Sequence, residues 1–190
     1  MDASERSRQK YWSFVFAWVA LIYGTLYVVR PVCTFLQNTT PFALLVNILM
    51  YSLLTVLILG LFVKRKVTFA RPLSCLVFLI TVGAYICGFS VIQIPEEKLH
   101  FLEYGILAYL AFRAIELDIR RPPAFVYAFL LTVMFGWIDE GIQYFLPNRY
   151  YQNEDVALNA AGGLLGLAVV YIIRSGHAKA TPNKNGNSTI

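Results

Sequence analysis

Three stretches of this chain, residues 11–29, Phe42–Val63 and 73–94, contain no charged residue. Each reaches the roughly 20 apolar residues that carry an α-helix across a bilayer. In hydrocarbon every backbone N–H and C=O needs an internal partner, so runs of this kind fold as helices in a bundle. Three later runs, 99–115, 124–145 and 156–173, have similar reach but hold polar residues. The sequence therefore predicts an all-α, polytopic membrane protein of about six transmembrane helices. A content of 58% apolar and 14% charged residues, with mean hydropathy +0.59, does not fit an ordinary soluble domain.

The net charge of +5 could point to nucleic acid, but its distribution points elsewhere. Thirteen of the sixteen Lys and Arg residues fall on one side of the alternating spans: Arg6, Arg8, Lys10, Lys64, Arg65, Lys66, Arg71, Arg113, Arg120, Arg121, Arg174, Lys179 and Lys184. Only Arg30, Lys98 and Arg149 fall on the other. Basic residues mark cytoplasmic loops, so both termini are expected inside and no nucleic-acid partner is expected. Acids show the opposite bias: Glu96, Glu97, Glu103, Asp139, Glu140, Glu154 and Asp155 gather at the outer side. Acidic residues contribute little to topology, so this gathering needs another cause.

The chain divides into an inner N-terminus (1–10), two leading membrane helices (11–71), a four-helix membrane domain (72–174) and a tail (175–190). That tail is rich in Lys, Asn, Gly and Ser, which predicts disorder. The first two spans read as packing helices. Cys33, Cys75 and Cys87 lack metal-site spacing and are expected to pack as small apolar residues.

Polar residues converge from three pieces. In "PEEKLHFLEYGIL", from Pro95, a helical repeat of about 100° per residue puts Glu97, His100 and Tyr104 on one face, with Glu96 and Glu103 beside the imidazole. In "DEGIQ", Asp139 and Gln143 are one turn apart and Glu140 is adjacent. An acid at the centre of a membrane helix costs about 2.5–3.5 kcal/mol on insertion scales, less near the end, and still calls for a partner or water. In "PNRYYQNEDVALNAAGGLLG", Asn153 suits an N-cap, and Glu154 and Asp155 suit the positive end of the helix dipole. Asp155, Asn159, Gly162 and Gly166 then lie within about 60° of one another. Gly162 and Gly166 form a G-x-x-x-G face that lets another helix approach, from this chain or from a second copy.

The order and spacing of these pieces resemble the VanZ-like family of bacterial integral membrane proteins. The family pattern is roughly K-x-x-H-F-x-x-Y, then D-E-x-x-Q-x-F-x-P-x-R, then D-x-x-x-N-x-x-G. His100, Phe101, Tyr104, Asp139, Glu140, Gln143, Phe145, Pro147, Arg149, Asp155, Asn159 and Gly162 match it. Glu97 stands in the lysine slot, with Lys98 one residue nearer the histidine. The resemblance spans about 73–173 and leaves the first two spans outside. It implies a bacterial cytoplasmic (inner) membrane protein with an envelope-related role; the family is named for a protein associated with teicoplanin resistance.

Lys98, His100, Tyr104, Asp139, Glu140, Gln143, Arg149, Asp155 and Asn159 are therefore the candidate ligand-binding residues. Three readings stand side by side. One is a site for an envelope lipid or a glycopeptide antibiotic such as teicoplanin, with Lys98 and Arg149 on an anionic group. Another is an intramembrane hydrolase or transferase using His100, Asp139 and Glu140 as acid and base. It could draw on Mg or Ca bound by Glu97, Asp139, Glu140 and Asp155, since a lone histidine suits oxygen-loving ions better than zinc. The third is a structural cluster of ion pairs. No organic-cofactor signature occurs.

Overall fold

The structure, a computed structural model, describes residues 3–63, 72–147 and 151–175. The basic turn 64–71, residues 148–150 with Arg149, and the tail beyond Ser175 lie outside the described residues. Six helices follow in order: α1 (Ala3–Thr39), α2 (Phe42–Val63), α3 (Pro72–Val91), α4 (Pro95–Ile115), α5 (Pro123–Tyr144) and α6 (Asn153–Ser175). Among the described residues there is no strand. All but α4 are long and apolar enough to cross a membrane.

The arrangement explains the exception. α1 touches α2, α2 touches α3, α3 touches α6, α6 touches α5, and α5 returns to α1. α4 runs inside this ring, against α1, α2, α5 and α6. Its Tyr104, Leu107, Ala108, Ala111, Phe112 and Ala114 are fully buried. The five apolar helices thus present apolar surface to lipid, and the one that carries Glu96, Glu97, Lys98, His100 and Glu103 is shielded by them. Charge inside a membrane protein is tolerable where it faces the bundle interior.

Close packing of α4 on α6 depends on glycine. A Cβ on Gly162 would lie 2.3 Å from the Phe101 carbonyl oxygen, and one on Gly166 would lie 2.3 Å from that of Gly105. The G-x-x-x-G face is therefore filled within one chain, by the backbone of α4. Gly163, on the adjoining face, meets the Thr132 side chain of α5 instead.

α1 is longer than its apolar run. The expected span ended at residue 29, but the helix continues through Arg30 and Pro31 to Thr39. An internal proline forfeits one backbone bond and need not end a helix that neighbours support. The Thr39 and Thr40 hydroxyls then donate to the Phe35 and Leu36 carbonyl oxygens, satisfying the last turn. At 37 residues α1 is about 55 Å long, more than a hydrocarbon core of about 30 Å requires.

The two ends of the bundle differ in charge chemistry. At one end Glu116 is shared by Arg113 (3.0 Å) and Arg174, and the Tyr11 ring lies under the Arg113 guanidinium, tying α1, α4 and α6 together. Arg8 pairs with Asp118 at the same end. The opposite end holds the buried acids.

Candidate functional site

Pro95 opens α4: Ile94 before it is extended, and proline is preorganised for the first helical position. The helix therefore begins four residues ahead of the apolar run 99–115, and Glu96, Glu97 and Lys98 enter its first turn. The outer end of α5 brings Asp139, Glu140 and Gln143, all buried. α6 begins at Asn153, so Gln152 rather than Asn153 stands just before the helix; its carbonyl accepts from the Val156 N–H.

These ends enclose a cavity of about 50 Å³. Of the candidates, His100, Glu140, Gln143, Asp155, Asn159 and Glu97 line it. Asp139 and Tyr104 lie behind that lining, fully buried. The Tyr104 hydroxyl donates to Asp139 Oδ2 (2.9 Å), and Gln143 Nε2 donates to Glu140 Oε1 (3.0 Å) and, at 3.4 Å, to Asp139 Oδ1. His100 Nδ1 faces Glu103 Oε2 at 3.2 Å and Asp139 Oδ2 at 3.9 Å. The imidazole thus lies beside two carboxyl groups at the cavity wall. Across the mouth Gln152 Nε2 reaches Asp155 Oδ2 at 3.4 Å.

Lys98 is placed elsewhere. It is 5% exposed, and its ammonium donates to the Asn47 side chain of α2 rather than lining the cavity. Arg149 lies outside the described residues. Arg30 of α1 lines the cavity, as do Glu96, Gln152, Ile94 and Leu158. None of these was singled out as a site residue from sequence. Arg30 stood at the edge of an apolar run with no motif around it, and only its outer-side placement among so few basic residues hinted at it.

The lining is rich in acceptors. Glu96 Oε2, Glu140 Oε2 and Asn159 Oδ1 are buried with no hydrogen-bond partner among the described residues. A buried acceptor without a donor costs about 1–3 kcal/mol, more if charged. The cavity, of about 50 Å³, admits water or the polar tip of a larger ligand. Among the described residues no three His, Cys, Asp or Glu side chains are grouped to hold a metal ion. Glu97, Glu140 and Asp155 share the cavity, while Asp139 is held behind it by Tyr104.

Residues 96–174 match the family model described as VanZ/LLP1. That stretch is similar to the VanZ-like family. The match takes in α4, α5 and α6, which supply most of the cavity wall, and covers less than half of the chain. The VanZ-like helices are completed from outside the match: α1 adds Arg30 to the cavity, and the Trp18 indole N–H of α1 donates to the Glu103 carbonyl oxygen (3.0 Å). Neither a curated protein nor a solved structure matches the chain. With five helices long and apolar enough to cross a membrane, the protein is a multi-pass membrane protein.

Proposed function

We propose that this protein binds the polar head group of an envelope lipid in the cavity between α4, α5 and α6. The carrying observation is the set of buried acceptors, Glu96 Oε2, Glu140 Oε2 and Asn159 Oδ1, around a space that admits one small hydrogen-donating group. Such acceptors are stabilised when a ligand brings donors. The one-sided distribution of basic residues supports placement in the bacterial cytoplasmic membrane with both termini inside and the cavity outside. A glycopeptide such as teicoplanin would engage this cavity only through a projecting amine or hydroxyl, because its body exceeds the space.

Native mass spectrometry of the detergent-released protein tests the reading. Wild type should carry a retained lipid. The double variant Glu140→Gln/Asn159→Leu, shown to be folded by circular dichroism, should lose it. Equal retention by both would remove the head-group site.

One observation favours a second reading, an intramembrane hydrolase or transferase. His100 lies within 3.2 Å of Glu103 and 3.9 Å of Asp139 and lines the cavity, a placement open to a general acid–base group. In that case His100→Gln would keep bound lipid and lose its conversion, read as product masses from an added lipid mixture. No conversion by wild type would leave binding as the activity.

A further inference from the structure

Arg30 borders two spaces. It lines the acidic cavity, and it also lines a recess of about 430 Å³ formed by Leu26, Tyr27, Pro31 and Thr34 of α1 with Leu146 and Pro147 beyond α5. An acidic chamber, a guanidinium and a mainly apolar recess thus adjoin one another. In the chamber Glu140 is 1% exposed and Glu96 8%, each with a carboxylate oxygen lacking a hydrogen-bond donor among the described residues. No Phe, Tyr or Trp lines the chamber among the described residues.

We infer that the bound lipid is a phospholipid with a primary-amine head group. Its ammonium enters the chamber between Glu96 and Glu140, its phosphate lies on Arg30, and its acyl portion follows the recess along α1. This assignment rests on the head-group reading above and narrows it. A primary ammonium brings three N–H donors to acceptors that lack them, and charge-assisted bonds of this kind are the strong ones. A guanidinium fork matches phosphate oxygens. A choline head group has no N–H donor and is recognised by aromatic faces, which this chamber does not offer. A glycerol head group brings hydroxyls but no positive charge to the carboxylates.

The test uses the full chain, delipidated in detergent and given phosphatidylethanolamine, phosphatidylcholine or phosphatidylglycerol of identical acyl chains, with binding read by native mass spectrometry. Wild type should hold the ethanolamine lipid at least about tenfold more tightly than either of the others, the value of one charge-assisted hydrogen bond. Folded Glu140→Gln should bring that preference within about threefold. Arg30→Gln should weaken all three lipids while keeping the amine preference. Glycerophosphoethanolamine, which lacks acyl chains, should compete poorly; competition as strong as that of intact lipid would overturn the role of the recess. Equal binding of ethanolamine and choline lipids, or preference for the glycerol lipid, would overturn the amine assignment. If such binding is still lost in Glu140→Gln/Asn159→Leu, the head-group reading survives that failure. If that variant binds as wild type does, both fall together.

Discussion

The Tyr104 hydroxyl and Asp139 Oδ2 lie 2.9 Å apart, and neither residue is exposed. One residue comes from the central helix and the other from the ring. Their bond holds a carboxylate in the interior and aligns it with His100, whose Nδ1 is 3.9 Å from the same oxygen.

Tyr104→Phe should therefore cost more than its one atom suggests. Among the described residues Asp139 would keep the 3.4 Å donation from Gln143 and the His100 imidazole at 3.9 Å. Loss of a hydrogen bond to a buried polar group predicts destabilisation of about 1–3 kcal/mol. Tyr23 offers the comparison: its hydroxyl donates to the Phe135 carbonyl oxygen (2.8 Å), to which Tyr104 also donates at 3.3 Å. Tyr23→Phe should cost about 0.5–1.5 kcal/mol. Denaturation of both variants in the same detergent checks the order, and an equal or reversed order would contradict it.

The glycines of α6 predict a graded response. Gly162→Ala and Gly166→Ala push a methyl group against backbone oxygens at 2.3 Å, so neighbouring side chains cannot relieve it. Both should lose several kcal/mol, beyond the roughly 1–3 kcal/mol of ordinary overpacking, or fail to fold. Gly163→Ala meets only Thr132 Cγ2, at 2.8 Å, and a second change, Thr132→Ser, removes that methyl group and should restore stability. Gly141→Ala meets nothing within 4 Å and should be neutral or gain about 1 kcal/mol from helix propensity. Unfolding midpoints and expression yields distinguish the four.

Lys98 and Asn47 predict a coupling between α4 and α2. The ammonium is buried against the Asn47 side-chain oxygen. Asn47→Leu strands it and should cost about 3 kcal/mol, whereas Asn47→Leu with Lys98→Met should recover most of that loss. Lipid binding by the double variant should stay as in wild type, because neither residue lines the cavity. A thermal-shift series combined with lipid retention measures both effects.

Much of this was legible because it is local. The charge-free runs marked three of the five ring helices, α1 to α3, and the spacing of Gly162 and Gly166 marked a face for close approach. The i, i+3 spacing of His100 and Glu103 gave their contact, because helical periodicity fixes which residues are neighbours. What escaped depends on long-range placement. Arg30 reaches the cavity from a helix far away in the chain, and Asn47 draws Lys98 toward α2 although its neighbours Glu96 and Glu97 face the cavity. The expected first span ended at residue 29 because Arg30 closes the charge-free run, a local signal, while the support of α1 by α4 is not local. The polar character of α4 was plain in its letters. That it belongs at the centre became evident only from the ring of more apolar helices around it.

On the proposal above, the buried acceptors hold a ligand's donor group. An experimental structure of the protein in a lipid bilayer, at a resolution that separates head groups from water, tests it most directly. The account predicts density between Glu140 and Asn159 that is continuous past Arg30 into the recess along α1. A cavity holding only isolated water, with Glu140 Oε2 and Asn159 Oδ1 bonded to it and no density reaching Arg30, would contradict the account and leave the polar cluster a structural feature of the bundle.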